Sequence, residues 1–414
     1  MNSWWIREVR ILDPLTQYDQ IGDVLIKDQT IQALGSPLEA SGELIQEIDG
    51  QGCVMGPGLV DLYSQTGEPG YESRETLEQF LQAASAGGFT QLGLLPNTTP
   101  AIDNLTQVKQ RLVQKSGLPR VLPWGAITLG TAGKKLTDLM ELSDSGVVGF
   151  CDGRPLENPR ILQKSLEYMQ PLPLPLAFWP CDPQQSGSCR DGADSVRLGL
   201  SPIANTAETR PLTALLEEVA VSRRSVHLMR ISTARSVDLI RAAKNQGLPI
   251  TASVTWLHLL FSTADLDSYA PSLKLAPPLG TPTDQAALIR GLEDGTIDAI
   301  AVDHCAHTYE EKAVPFGTAP PGAIGLPLVL PILWRTFVAG GRWSPLQLWS
   351  YLSSQPAQCL GIQTPMLKQQ TPVNLVLFDP NQTWQATLHN LGSAPINTIY
   401  GEQIIQGKVK RIWI

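Results

Sequence analysis

The run Asp303-His304-Cys305-Ala306-His307 is the densest set of side chains in this sequence that could do metal chemistry. Carboxylate, imidazole and thiolate groups are the usual protein ligands of a zinc-type divalent ion. No second cluster with metal-ligand spacing accompanies the run, which favours a hydrogen-bonded or structural loop over a metal element. The alternative is a thiolate site that joins Asp303 or His307 to a cysteine of a predicted loop, for which the candidates are Cys151, Cys181 and Cys305.

Histidine is absent from the first 226 residues, since the five histidines lie at positions 227, 258, 304, 307 and 389. Any mechanism that needs an imidazole from the N-terminal half is therefore excluded. The stretch DLYSQTGEPGYES, residues 61–73, has the pattern of an apolar strand that runs into a Gly- and Pro-punctuated loop. The loop carries the carboxylate Glu68, but Tyr63, Gln65 and Gly67 stand where metal ligands and a cation would be expected of a catalytic loop.

Short apolar runs alternate with amphipathic segments through the middle of the chain. Eight runs have the length and flanking turns of buried strands: residues 58–63, 89–95, 121–127, 146–150, 174–178, 225–231, 249–254 and 297–302. Helical spacing of apolar residues lies between them, as over residues 74–86 and 234–245. The alternation predicts an α/β fold, a (β/α)8 TIM barrel over residues 56–365, with a doubly wound open sheet as the alternative. The loops after the strands then gather at the C-terminal face, where such barrels carry their chemistry.

Both ends of the chain have a different pattern from the middle. Residues 1–55 and 366–414 alternate apolar and polar positions in short pieces, which is typical of half-buried strands. We therefore expect one small β-rich domain that is assembled from the two termini.

Composition limits the classes of function. The chain has 414 residues, 43% hydrophobic and 17% charged, with a net charge of −8, so a nucleic-acid surface is not expected. The N-terminus lacks a signal-peptide pattern and no apolar stretch approaches the roughly 18 residues of a membrane span, which predicts a cytoplasmic protein with no membrane contact. The six cysteines contain no Cys-x-x-Cys pair and are expected to be free thiols.

Several stretches together resemble the dihydroorotase family of the cyclic amidohydrolase superfamily, over nearly the whole chain. They are Pro57-Gly-Leu-Val-Asp-Leu62, Glu68-Pro-Gly-Tyr-Glu72, Ala84-Ser-Ala-Gly-Gly-Phe-Thr90, Leu95-Pro-Asn-Thr-Thr-Pro100, Ile231-Ser-Thr-Ala-Arg-Ser-Val237, Gly291-Leu-Glu-Asp-Gly-Thr-Ile-Asp298 and Val302-Asp-His-Cys-Ala-His-Thr-Tyr-Glu-Glu-Lys312. The resemblance implies a TIM barrel of the amidohydrolase type. For an active member it implies one or two zinc ions and the reversible closure of carbamoyl aspartate to dihydroorotate. Zinc would lower the pKa of a bound water while an aspartate moves the proton.

The sequence departs from the family at each position where the resemblance implies a ligand histidine. Tyr63 and Gln65 stand at the first two, Pro180 at the third and Arg230 at the fourth. We therefore predict no metal ligand among these four and no cofactor. Asp152 is the one family carboxylate that the comparison leaves as a retained ligand, in a shifted register.

The substrate side is also altered. Gly67 and Gly280 stand where the family has cations that bind the substrate, and Ala276 replaces a hydrogen-bonding amide. Asn97 and His307 match substrate-binding positions of the family, and Asp303 matches its catalytic aspartate. We expect these three to be vestigial. Since a histidine-to-arginine difference coincides with retained carboxylates, we also expect Arg230 to pair with Asp303 or Asp152 in place of the metal.

Two functions are consistent with this pattern. The favoured one is a non-catalytic, dihydroorotase-like protein of pyrimidine biosynthesis that acts as a structural or regulatory partner of aspartate carbamoyltransferase, since the resemblance extends to inactive chains with that partner. A homo-oligomer is a further expectation. The alternative is an active cyclic amidohydrolase whose rearranged site uses Asp303, His304 and His307.

Overall fold

The computed structural model describes residues 3–35, 45–112, 117–156, 158–364, 366–392 and 397–414. The strands of this part of the chain are β1 (Ser3–Asp13), β2 (Tyr18–Lys27), β3 (Thr30–Gly35), β4 (Ile45–Asp49), β5 (Val54–Pro57), β6 (Leu59–Ser64), β7 (Phe89–Leu94), β8 (Arg120–Gly125), β9 (Gly149–Phe150), β10 (Leu176–Phe178), β11 (Cys189–Arg190), β12 (Pro202–Ile203), β13 (Val226–Leu228), β14 (Ile250–Thr255), β15 (Ala299–Ala301), β16 (Leu375–Gln385) and β17 (Ile404–Trp413).

The α-helices are α1 (Leu77–Gly87), α2 (Leu105–Arg111), α3 (Leu139–Ser143), α4 (Pro159–Tyr168), α5 (Ala193–Leu198), α6 (Thr206–Ser222), α7 (Ala234–Asn245), α8 (Trp256–Leu260), α9 (Pro282–Glu293), α10 (Tyr309–Lys312), α11 (Val329–Leu333), α12 (Pro345–Leu352), α13 (Ser354–Cys359) and α14 (Leu388–Leu391). Short 3₁₀ helices span Leu129–Thr131, Thr263–Ser268 and Pro271–Leu273, and a π-helical turn spans Trp334–Val338. Among the described residues, no helix is both long and apolar enough to cross a membrane.

Eight parallel strands form the central sheet, in the order β15-β14-β13-β10-β9-β8-β7-β6. Each of the eight predicted apolar runs overlaps one of them, and β6, β8 and β14 each extend one residue beyond their run. The last strand returns to the first, because the amide of Asp303 donates to the carbonyl of Tyr63 over 3.1 Å and the amide of Gln65 donates to that of His304 over 2.8 Å. The barrel prediction is thus confirmed, and the open-sheet alternative is wrong.

Local signals explain where the helices begin. Helix α7 spans the predicted residues, Ala234–Asn245, with Thr233 as its N-cap. Helix α1 begins three residues later than predicted, at Leu77, because Thr76 and Gln79 form a capping box there. The carboxylate of Glu68 also accepts a hydrogen bond from the amide of Leu77 over 2.7 Å. Glu68 of the 61–73 loop is therefore bound to a helix N-terminus.

The chain termini build a second sheet beside the barrel, as predicted. It has the order β17-β16-β5-β1-β2-β3, with β4 paired to β1, so strands from both ends of the chain lie side by side. Strand β5 leads directly into the first barrel strand, and the Trp349 indole of α12 donates to the carbonyl of Pro57 over 2.8 Å at this junction. The division at residues 55 and 366 stays a prediction.

Candidate functional site

A cavity of about 230 Å³ opens at the C-terminal ends of the barrel strands. Its walls come from loops after different strands, and the residues that matter for its chemistry are Gln65, Asn97, Trp179, Arg230, Asp303 and His307. The fold therefore brings Asn97, Asp303 and His307, which the sequence resemblance matches to family positions, to one site. This is the face of a TIM barrel at which active sites form.

A bidentate ion pair between Arg230 and Asp303 dominates the cavity. Nε of Arg230 lies 2.8 Å from Oδ2 of Asp303, and Nη2 lies 2.6 Å from Oδ1. The remaining Nη1 donates to the carbonyl of Gly153 over 3.2 Å, and the indole of Trp179 stacks on the guanidinium at 4.6 Å. The expected pairing of Arg230 with Asp303 is confirmed, whereas Asp152 is not its partner.

The ion pair is largely shielded from solvent, and this affects the pKa of Arg230. The side chains of Arg230 and Asp303 are only 4% and 15% exposed. Burial alone would lower the pKa of the Arg230 guanidinium, but the charge and hydrogen bonds of Asp303 raise it above its ordinary value. Arg230 is thus a permanent cation that neutralises the carboxylate.

Both residues of the pair have unusual backbone conformations. Arg230 has φ of 56° and Asp303 has φ of 52°, in the left-handed region that L-residues rarely adopt. They stand two residues past the ends of β13 and β15, where the strands give way to loops. Strained backbone of this kind concentrates at functional sites, and here it aims two side chains from different loops at one another.

Tyr63 lies inside the barrel rather than in the cavity. Its hydroxyl accepts a hydrogen bond from the amide of Arg230 over 3.1 Å and lies 2.9 Å from Oγ of Ser253. Oγ of Ser253 also lies 2.9 Å from Nε2 of His227. Burial raises the pKa of the Tyr63 phenol and lowers that of His227 to about 3, so both side chains stay neutral. The phenol belongs to a buried core cluster and does not line the cavity.

The other replaced positions also lack ligand geometry. Oε1 of Gln65 accepts a hydrogen bond from Nδ2 of the Asn97 side chain over 3.4 Å. Pro180 is buried just after β10 and has no side-chain donor atom. The neighbouring thiol of Cys181 has its pKa raised to about 11 by burial. All six cysteines are free, as predicted.

Asp152 holds a loop outside the cavity. Its Oδ1 accepts from the amide of Thr128 over 2.9 Å, and its Oδ2 accepts from the hydroxyl of the same residue over 2.7 Å. Burial raises the pKa of this carboxyl, although the hydrogen bonds from Thr128 oppose the shift. Both carboxylate oxygens are thus bound to the segment after β8 rather than directed at a metal position.

The run from Asp303 to His307 is split between different environments. Nε2 of His304 lies 3.1 Å from both oxygens of the buried Glu75, while its Nδ1 accepts from the amide of Gly325. His304 therefore joins the barrel to the start of α1 and does not face the cavity. Nε2 of His307 lies 2.9 Å from the carbonyl of Pro321 and 3.4 Å from Sγ of Cys305. In the described part of the chain, no three His, Cys, Asp or Glu side chains group so as to hold a metal ion.

Several residues of the site were missed by sequence reasoning. Trp179 and Arg154 line the cavity although neither belongs to a quoted motif, and Arg74 forms an ion pair with Glu311 at its rim. Glu75 is the buried partner of His304. The only available signal was their position in loops that follow strands or precede helices.

Comparisons with known proteins identify the family and the fold. The family model described as dihydro-orotase-like matches residues 52–158. A probable dihydroorotase-like protein of Synechocystis is 39% identical over 97% of both chains, and a dihydroorotase of Pelotomaculum thermopropionicum is 34% identical over 96% of this chain and 93% of its own. The chain belongs to the dihydroorotase family. An L-hydantoinase of Arthrobacter aurescens shares the fold, with a TM-score of 0.85 at 20% identity over 99% of this chain and 94% of its own.

The site of this dihydroorotase-family chain does not fit a zinc ion. Of the four positions at which the resemblance implies ligand histidines, Tyr63 is a neutral buried phenol, Pro180 has no donor atom and Arg230 is a cation. Gln65 offers an amide oxygen, which is a poor zinc ligand beside imidazole. The donor set therefore disagrees with the metal chemistry of an active family member.

Proposed function

We propose that this chain is a non-catalytic member of the dihydroorotase family that serves pyrimidine biosynthesis as a structural or regulatory partner of aspartate carbamoyltransferase. The observation that carries the first half is the bidentate pair of Arg230 and Asp303. In the family this aspartate has to accept and return a proton. Here both of its oxygens are bound to a guanidinium that does not titrate at cellular pH.

Electrostatics oppose a return of the metal to this place. A unit charge and a dication 4 Å apart repel by on the order of 8 kcal/mol at an effective dielectric constant of 20. Arg230 would supply that unit charge, and its guanidinium is fixed by Asp303, Gly153 and Trp179. Metal binding would therefore require this buried cation to be expelled.

The second half of the proposal has a different support. The fold and the loop framework persist although the ligand set does not, which argues that the shape of the chain is what remains useful. The family resemblance makes aspartate carbamoyltransferase the leading partner, because inactive dihydroorotase-like chains associate with it. The low content of charged residues, 17%, is consistent with a chain that forms stable contacts with another protein.

The alternative is an active cyclic amidohydrolase with a rearranged site. The cavity of about 230 Å³ favours it, since Asn97, Asp303 and His307 still line one space. It predicts tightly bound metal and measurable ring opening of dihydroorotate.

Two measurements on the purified chain separate the candidates. We expect less than about a tenth of an equivalent of any transition metal and no dihydroorotate turnover. Asp303→Asn is the matched control, because turnover that survives this substitution belongs to a contaminating enzyme. Turnover that the wild type has and the variant lacks would establish the amidohydrolase instead.

Partnership is tested with aspartate carbamoyltransferase from the same organism. Sedimentation of the mixed proteins is expected to show a complex, and formation of carbamoyl aspartate is then compared with and without this chain. A mixture that sediments as two separate species at micromolar concentration would remove the partnership from the proposal.

A further inference from the structure

A second, more open groove of about 700 Å³ lies on the outside of the barrel, beside α3 and α4. We call it the lysine groove and define it by Leu129, Lys134, Lys135, Met140, Lys164 and Tyr168. Lys164 and Tyr168 lie on one face of α4, while the other four belong to the segment from the end of β8 to α3. None of these residues belongs to the candidate site.

The groove combines exposed apolar side chains with positive charge. Leu129, Met140 and Tyr168 are 42%, 55% and 60% exposed. Single exposed apolar side chains are common, but several large ones that line the same groove often mark a binding surface. Met and Tyr are also enriched in protein interfaces, Met because its flexible side chain adapts to a partner and Tyr because its ring covers a large area.

The positive charge is local to this groove. The chain has 12 lysines and a net charge of −8, yet three of the lysines line this one groove. Asp138 is the carboxylate in its lining, and Oδ1 of Asp138 is bound to the amide of Glu141 as the N-cap of α3. Within the described ranges, no ion pair involves Lys134, Lys135 or Lys164.

A fixed loop presents two of these lysines. Residues 127–137 form a small hairpin, in which the amide of Leu129 donates to the carbonyl of Lys135 and the amide of Thr137 to that of Ile127. The hairpin is anchored by Asp152, which binds both the amide and the hydroxyl of Thr128. The carboxylate retained from the family thus positions the rim of the groove. A backbone that is already ordered loses less conformational entropy when a partner binds.

We propose that the lysine groove is a docking surface for a partner protein that presents an acidic patch around an apolar side chain. Complementary charge selects the partner, because the groove is a positive region on an otherwise acidic chain. The apolar floor of Leu129, Met140 and Tyr168 receives the partner's apolar side chain. This inference rests on the proposed function in that aspartate carbamoyltransferase is the partner that the groove receives.

The test is binding of aspartate carbamoyltransferase to charge-reversal variants. The groove variant replaces Lys134, Lys135 and Lys164 by Glu. Its control replaces three exposed lysines elsewhere, Lys27, Lys109 and Lys368, so both variants acquire the same net charge. We expect the groove variant to bind at least tenfold more weakly than wild type and the control to stay within about threefold, and wild-type affinity to fall as salt rises.

A second variant tests the apolar floor without changing charge. Met140→Ser combined with Tyr168→Ser alters only exposed side chains and is expected to weaken binding at least tenfold as well. If wild type binds and the groove variant binds equally, the docking surface is wrong while the proposed partnership stands. If wild type does not bind, the partnership itself fails, and the docking proposal with it. A wild-type homodimer that dissociates only in the groove variant would assign the surface to a second copy of the chain and overturn the proposal.

Discussion

Replacing Arg230 by Ala removes one half of the buried ion pair and leaves the other half in place. The carboxylate of Asp303 loses both of its hydrogen bonds to the guanidinium, and the carbonyl of Gly153 loses its hydrogen bond from Nη1 of Arg230. The stacked indole of Trp179 loses the group that it covers. Because Ala is also an L-residue, the left-handed backbone at position 230 is not relieved by the substitution.

The size of the effect follows from burial. Orphaning one member of a buried pair costs roughly 3–5 kcal/mol of unfolding free energy. The side chain of Asp303 is 15% exposed and borders the cavity, so water can reach the orphaned carboxylate. This places the expected loss at the low end, about 3 kcal/mol. Replacing Asp303 by Ala in the same chain removes the orphaned charge and is expected to restore part of that loss.

Urea unfolding, followed by tryptophan fluorescence and circular dichroism, measures these differences. The four chains of the cycle are wild type, Arg230→Ala, Asp303→Ala and the double variant, and we expect a coupling energy of about 2 kcal/mol. Arg154→Ala is the matched control, because it removes an exposed arginine from the same cavity and is expected to cost less than about 0.5 kcal/mol. An Arg230→Ala protein as stable as the Arg154→Ala control would refute the reasoning that Arg230 replaces the metal as the counter-charge of Asp303.

Three further outcomes follow from the structure. Burial raises the pKa of Asp61 to about 7, so between about pH 4 and pH 7 the folded state holds a proton that the unfolded state has released. The free energy of unfolding should therefore fall as the pH rises through this range. Urea titrations should show this slope, and Asp61→Asn should flatten it. Asp152→Ala should cost about 2 kcal/mol by leaving the amide of Thr128 unpaired, and hydrogen exchange should show faster opening of the 127–137 hairpin. Because burial raises the pKa of Cys181 to about 11, a disulfide reagent at pH 7.5 should label the native thiols slowly and all six after unfolding.

The barrel was predictable because its signals are local and repeated. Each parallel strand is buried on both faces and therefore reads as a short apolar run, and the runs are spaced by helical segments. The boundaries were less certain where a strand is very short, as in Gly149–Phe150 within the predicted run 146–150. There the valines before the strand pack into the core, and the amide of Val148 already donates to the carbonyl of Pro123 in β8 over 2.9 Å.

The site was predictable only in part. A carboxylate partner for Arg230 could be expected from sequence, because a cation at a ligand position needs a counter-charge, but the choice between Asp303 and Asp152 came from the structure. The hydrogen bond between His304 and Glu75 could not be predicted from the sequence, because the two residues are 229 positions apart and Glu75 belongs to an ordinary polar loop. Asp152 was expected near the metal position, but its actual partner, Thr128, carries no motif. Such contacts depend on side-chain directions that residue types alone do not specify.

The site also shows how a barrel keeps two neighbouring buried carboxylates when its residues no longer fit a metal. Burial raises the pKa of Asp61, and the nearby charge of Asp303 raises it further, so the ionised forms of the two carboxylates disfavour each other. The two carboxylates have different partners. Asp303 forms an ion pair with Arg230, whereas burial raises the pKa of Asp61, which shares a hydrogen bond of 2.5 Å with Ser64. Because Asp61 also accepts from the amide of Val302 over 2.9 Å, it connects the first barrel strand to the last. The retained Asp61 is thus explained by barrel closure, which needs no catalysis, and its presence is not a sign of activity.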